Sequence, residues 1–209
     1  MDVPPKLSDY EEYTYRPDDC STENDERCMV RLDIFDRCRL RRGRPALVEA
    51  LWILAQALVV RSFIPGSYQR RLVLRLFGAR VGKGVVIKPG VRVKFPWRLE
   101  IGDHTWIGEG VWIDNPAHVR IGHYCCLSQG AYVCIGNHDW SHPSFELVVK
   151  PIELCDCSWI AAKAVVAPGA VVEEGAVVSL DSMACGRLDA WWIYCSVPAV
   201  KVKRREVQR

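Results

Sequence analysis

Two histidines, His138 and His142, stand four residues apart in the segment CIGNHDWSHPSFELVVKPIE, residues 134–153. An imidazole titrates near neutral pH, so a His held beside a substrate can take a proton from it under ordinary conditions. His138 is the candidate general base, and Pro143 stiffens the chain just beyond His142. Asp139 is a candidate partner for the His138 ring, although neighbours along a strand point to opposite sides. Cys134, at the start of the segment, is a nucleophile in name only, since one Cys among ten carries little information. The sequence has no Ser-centred elbow, no glycine-rich loop of the P-loop or dinucleotide type and no zinc spacing. Covalent catalysis is therefore not indicated; a loop His is as a rule simply solvated, and what raises His138 is its place in the one long break of the chain's repeat pattern.

The elements that must position this segment repeat every six residues. From Leu154 to Met183 the chain divides into LCDCSW, IAAKAV, VAPGAV, VEEGAV and VSLDSM, each block opening on an aliphatic residue and most carrying a small one at the fifth place. A helix repeats at three to four residues and a strand at two, so a period of six requires a chain that turns a corner at each block. The spacing predicts a parallel β-helix, three blocks per triangular coil, with the aliphatic residues stacked inward at roughly 4.8 Å. The period begins upstream with Val81, Ile87 and Val93, continues with Ile101, Ile107 and Ile113, and again with Ile121, Leu127 and Val133. These series are offset by two residues, once around Leu99 and once at Pro116–Ala117, which reads as a small bulge at a corner. Between Val133 and Leu154 the period fails, so residues of about 134–153 form a loop thrown out from the solenoid, the usual place for function on a rigid scaffold.

The chain of 209 residues has room for one domain with appendages, and its net charge of +3 points neither to disorder nor to nucleic-acid binding. The ten Cys lack metal spacing and read as small buried thiols in a reducing compartment; no metal is expected. The amino-terminal residues have neither a basic stretch nor an apolar core of the secretory kind, which predicts a cytoplasmic protein. Residues 1–44 are polar and read as a flexible arm, and residues 45–80 as a helical segment. Within the latter, PALVEALWILAQALVVRSFIP predicts an apolar helix from Pro45 to Arg61 ended by Pro65, shorter than the ~20 residues of a membrane span. It caps the open end of the solenoid or lies in a membrane interface. YQRRLVLRLFGARVG follows as a short helix with Leu72 and Leu76 on its apolar face. The β-helix is expected over 81–190, with 191–209 as a basic C-terminal tail.

The repeat, the loop GNHDWSHPSF, the coil CSWIAAKAVVAPGAVV and the ending SVPAVKVKR resemble the hexapeptide-repeat acyltransferases, which fold as a left-handed parallel β-helix. GRPALVEALWILAQALVVRS, LRLFGARVGKGVVIKPGVRVKFPW and CIGNHDWSHPSFEL are similar in particular to the colanic-acid-biosynthesis-type acetyltransferases, over about residues 40–205. The resemblance implies a mainly β fold, a homotrimer with each active site between neighbouring β-helices, acetyl-CoA as donor and a sugar hydroxyl as acceptor. It implies that His138 removes the hydroxyl proton as the oxygen attacks the thioester. Asp114 and Asn115 match the acceptor side. Ala162, Leu180 and Cys185 match donor-side corners, and Lys201 and Lys203 the basic end that meets the nucleotide phosphates. Gly186 stands where relatives carry a phosphate-facing Lys, and Arg187 is its substitute.

Three functions are thus expected in order: sugar O-acetyl transfer in polysaccharide or glycoconjugate assembly, a catalytically silent β-helix scaffold, and acetyl transfer to serine or another small molecule. A lipid-linked saccharide acceptor would bring the helix at 45–61 against the inner face of a membrane.

Overall fold

The structure, a computed structural model, describes residues 42–139 and 142–206 together with Leu32 and Phe35. Most of the arm expected over 1–44 thus lies outside the described residues. The chain forms a parallel β-helix of about six coils with three faces. The first face stacks β1 (Arg80–Val81), β4 (Leu99–Ile101), β7 (Val119–Ile121), β12 (Ile152–Leu154), β15 (Val171–Val172) and β18 (Arg187–Leu188). The second stacks β2 (Val86–Ile87), β5 (Trp106–Ile107), β8 (Cys126–Leu127), β13 (Trp159–Ile160), β16 (Val177–Val178) and β19 (Trp192–Cys195), closed by β20 (Val200–Arg204). The third stacks β3 (Arg92–Val93), β6 (Trp112–Asp114), β9 (Tyr132–Cys134), β14 (Val165–Val166) and β17 (Met183–Ala184).

Each strand is only a few residues long, so its stability comes from stacking. The block-opening residues fill the axis: Ile101, Ile121 and Leu154 on one face, Ile107, Leu127 and Ile160 on the next, Ile113, Val133 and Val166 on the third, all buried. The fifth-place residues Ser158, Ala164, Ala170, Ala176 and Ser182 are buried at corners, where a larger side chain has no room. The fourth place takes a left-handed backbone even without glycine, as in His104, Tyr124, Cys157, Lys163, Asp181 and Trp191, with φ between 55° and 60°. Gly102 is needed for closeness instead, because a Cβ there would sit 2.5 Å from the carbonyl carbon of Gly122 in the next coil.

Register shows where the chain departs from six. Arg80 pairs with Glu100 and Glu100 with Arg120, two steps of 20 residues, whereas Glu153 to Val171 is 18 and Val171 to Arg187 is 16. Every departure falls at one corner, between the third face and the first. The extra residues at Phe95–Arg98 and at Asn115–His118, the long excursion after Cys134 and the two residues missing between Ala184 and Leu188 all occur there. In the excursion an antiparallel hairpin pairs β10 (Gly136–His138) with β11 (Leu147–Val149).

The helical segment closes the open end edge by edge. Helix α1 (Ala46–Ala55) runs into a π turn at Gln56–Val60, marked by the Arg61 N–H donating to the Gln56 carbonyl at 2.9 Å. On the third face, Trp52 Nε1 donates to the Val93 carbonyl at 2.9 Å and Gln56 Oε1 accepts the Val93 N–H at 2.6 Å. On the second, the Ser67 hydroxyl bonds both the N–H and the carbonyl of Ile87, at 3.0 and 3.1 Å. On the first, Arg75 in α2 (Tyr68–Leu76) donates to the Val81 carbonyl at 2.6 Å. The apolar face expected for α2 is corrected: Arg70 and Leu74 are buried while Leu72 and Leu76 are exposed. Arg70 turns inward because its guanidinium bonds the carbonyls of Val60, Ser62, Ile64 and Gly66, at the end of the π turn and along the bend that follows it.

The far end also differs from expectation. Residues 191–209 do not begin as a tail, since Ile193 still pairs in parallel with Val177, and β20 then folds back antiparallel on β19. No helix among the described residues is long and apolar enough to cross a membrane. The capping account predicts that Trp52→Ala lowers the unfolding free energy by about 3–5 kcal/mol. Leu51→Ala on the outward side should change it by about 0.5 kcal/mol or less, both read by denaturant titration.

Candidate active site

The irregular corner carries the polar side chains. In register there, β3, β6 and β9 form two outward columns: Arg92, Trp112 and Tyr132, then Lys94, Asp114 and Cys134. In the first, the Arg92 guanidinium lies 4.3 Å from the Trp112 ring centre, and Trp112 stacks on Tyr132 at 4.6 Å. In the second, Lys94 Nζ meets Asp114 Oδ1 at 2.9 Å. That oxygen is buried and accepts no well-aligned hydrogen bond among the described residues. The ion pair balances its charge and leaves lone-pair capacity. Burial, then the adjacent Cys134 thiol and the Asp114 carboxylate, push the Tyr132 hydroxyl above its ordinary range, so it remains a proton donor.

Asn115 is placed differently from the acceptor role expected of it. It is fully buried, its Oδ1 accepts the Phe95 N–H at 2.9 Å, and its Nδ2 donates to the carbonyls of Phe95 and Arg98 at 2.7 and 3.3 Å. It holds together the bulges of successive coils. A backbone bond from the Ile135 N–H to the Asp114 carbonyl, 3.2 Å, ties the root of the hairpin to this same corner.

His138 ends β10 opposite Leu147. Its Nδ1 lies 2.8 Å from the Phe145 carbonyl. A carbonyl can only accept, so Nδ1 carries the hydrogen and Nε2 of the neutral ring holds the lone pair. Phe145, in a left-handed conformation at φ 49°, also stacks its ring on the imidazole, 4.3 Å between centres and 6° between planes. The Phe35 ring approaches at 5.6 Å. A backbone carbonyl, rather than the Asp139 carboxylate, takes Nδ1, because the hairpin turns Phe145 back over the ring. His142 has the opposite tautomer. Its Nδ1 receives the Ser144 N–H at 3.3 Å and lies 2.7 Å from the Ser144 hydroxyl, so its neutral ring carries the hydrogen on Nε2 and shapes the loop tip.

The expected donor-side residues fall at separate places. Ala162 and Leu180 share the corner between the second and third faces, one coil apart, and the Ala162 carbonyl accepts the Asp181 N–H at 3.1 Å. Cys185 lies at the irregular corner, and Arg187 on the first face pairs with Glu173 at 2.5 Å. Lys201 and Lys203 are on β20. Lys201 pairs with Asp189, which holds that carboxyl below its ordinary value and the ammonium above. Lys201 and Arg204 both lie 5.0 Å from the Trp192 ring centre, and Lys203 has no ion pair among the described residues. Within one chain, the third face separates His138 from the corner of Ala162 and Leu180.

Phe145 escaped sequence reasoning because its backbone carbonyl does the work, and no residue type signals that. Lys94, Arg92, Trp112 and Tyr132 did carry a signal, the 20-residue spacing that stacks them. The described Cys are free thiols: Cys125 is buried, four are half-buried, and Cys185 and Cys195 are exposed. Burial is thus more limited than expected. Burial raises the Cys125 thiol, and burial with the Glu173 carboxylate pushes Cys155 up to about 11, so neither is a ready nucleophile. The Cys134 thiol donates to the Gly136 carbonyl at 3.3 Å.

No family model matches the chain. It is 35% identical over 165 residues, 78% of its length and 91% of the relative's, to WcaF of Escherichia coli (strain K12), named for acetyl transfer in colanic acid biosynthesis. Its fold is similar to that of a hexapeptide-repeat acetyltransferase of Vibrio cholerae O1 biovar eltor solved with acetyl coenzyme A. The TM-score is 0.71 at 19% identity, covering 78% of this chain and 89% of that one. It is also similar to a galactoside acetyltransferase solved with coenzyme A, with a TM-score of 0.69 at 16% identity, covering 76% of this chain and 81% of that one.

Nitrogen chemical shifts of the neutral His138 ring are expected to show Nδ1 protonated and Nε2 bare, with the reverse in His142. Asn115→Ala should cost about 2–4 kcal/mol by strand-edge bonds left unmade, measured by denaturant unfolding.

Proposed function

The chain belongs to the family of colanic acid biosynthesis acetyltransferases, and from that membership we propose that it moves an acetyl group from acetyl-CoA to a sugar hydroxyl in polysaccharide assembly. The observation that carries the role of His138 is the Phe145 carbonyl on Nδ1, which leaves Nε2 as the proton acceptor. Nε2 takes the hydroxyl proton while the oxygen attacks the thioester carbon. The tetrahedral intermediate collapses with loss of the coenzyme A sulfur, which receives the proton back from the imidazolium. The Phe145 carbonyl accepts the Nδ1–H throughout, so the ring keeps one orientation as the proton arrives at Nε2 and leaves it. Base catalysis of this kind contributes about 10²–10⁴-fold, and fixing donor and acceptor together supplies the rest.

Asp114 receives an acceptor hydroxyl, with Lys94 balancing its charge and the protonated Tyr132 beside it. A sugar acceptor is supported by the name of the E. coli relative and by the galactoside acetyltransferase likeness. The donor runs along the corner of Ala162 and Leu180 toward Lys201 and Lys203, with Cys185 and Arg187 meeting it from a different corner. Because that course and His138 lie on opposite sides of the third face, a complete site requires His138 from one chain and the donor corner of another. A homotrimer with its sites between β-helices meets that requirement.

His138→Ala is expected to lower kcat by about 10²-fold or more while leaving acetyl-CoA binding intact. Asp114→Asn should act mainly through the KM of the sugar, both read by steady-state assay with a panel of sugars. A His138→Ala variant with undiminished turnover would refute the assignment.

A further inference from the structure

The outward side of the helical cap is apolar where a surface helix is normally polar. Leu47, Leu51 and Leu54 fall on one narrow stripe of α1 opposite the buried Trp52, and Leu58 continues it in the π turn. With Phe63, these residues are between 50% and 81% exposed. Ile64, and Tyr68, Leu72 and Leu76 on α2, are exposed as well. Since Trp52 and Gln56 reach the open edge of the first coil, the opposite side of α1 looks away from the solenoid along its axis.

The segment that carries this patch is strongly basic, with Arg70 buried, Arg80 paired to Glu100 and Lys94 to Asp114. Residues 42–94 contain eleven Lys and Arg against a single acid, Glu49, which leaves +10 on this segment while the whole chain carries +3. Glu49 is spent on Arg42 at 2.9 Å. Arg61 is exposed and lines one cleft with Phe63, and Arg75, Lys83 and Lys88 on the cap and first coil are exposed as well. A cleft of about 520 Å³ opens next to Phe63 and is lined by Arg61 and Arg92 with the backbone of Gly90 and Gly110.

We propose that this cap docks flat on an anionic phospholipid bilayer, its Leu and Phe side chains entering the interface and its Arg and Lys ring meeting headgroup phosphates. The ten residues of α1 and five of the π turn are too few to span the hydrocarbon core but enough to lie in its boundary. Charge complementarity selects the bilayer over a second copy, because two caps meeting end to end would bring like charge against like charge. The inference stands apart from the acetyl-transfer reading, since it concerns binding alone.

Sedimentation of the full chain with lipid vesicles tests it. The chain should pellet with phosphatidylglycerol-rich vesicles, far less with phosphatidylcholine alone, and less again at high salt. Leu54→Asp with Phe63→Asp should weaken binding by about tenfold or more, and Arg61→Glu should reduce it on the anionic vesicles only, with circular dichroism unchanged in all variants. Equal binding to both vesicle types, or none, overturns the proposal. Self-association of the chain that the Leu54 and Phe63 substitutions abolish would overturn it too, in favour of a second copy.

Discussion

Each coil of this molecule finds its hydrogen-bond partners in the coils above and below, and that constraint governs everything else. A strand two or three residues long cannot stand by itself, so an insertion within a face would break the ladder on both sides. Additional chain is tolerated only at a corner. Here every added or missing residue uses the same corner, the one between the third face and the first. The same rule makes an open end costly, and the cap answers it bond by bond through Trp52, Gln56, Ser67 and Arg75.

The site inherits rigidity from that arrangement. Asp114 is the last residue of a short strand fixed above and below, with Asn115 locking the bulge behind it. The hairpin that bears His138 leaves the next coil two residues after its own strand partner of Asp114, Cys134, and is bonded back through Ile135. The His138 imidazole is held by two features of one residue, the Phe145 carbonyl at Nδ1 and the Phe145 ring across its face. Held in this way, the imidazole has little freedom left to lose in the proton transfer proposed for it.

Most of the fold was legible in the sequence because a six-residue period has few physical solutions. The inward column, the small corner residues, the two-residue offsets and the excursion all follow from it. The shortened step between Ala184 and Leu188 was not legible, since Ala190 stands at the regular six-residue spacing and competes with Leu188 for the inward place. Nor was the fold-back of β20, which depends on Trp192 and Ile193 keeping the last coil in register. For the site, His138 could be singled out from its place in the one long break. Asn115 could not be separated from Asp114 by type, because only burial shows that its amide is consumed by backbone groups.

The central claim is that proton transfer by His138 of one chain acts on a donor held at the Ala162 corner of another. Its most direct test is complementation in mixed oligomers of two inactive variants, His138→Ala and Ala162→Trp, assayed for acetyl transfer to a sugar. Recovery of activity in the mixture, absent from either variant alone, is the result expected. A mixture as inactive as its components, in oligomers shown to contain both chains, would contradict the account.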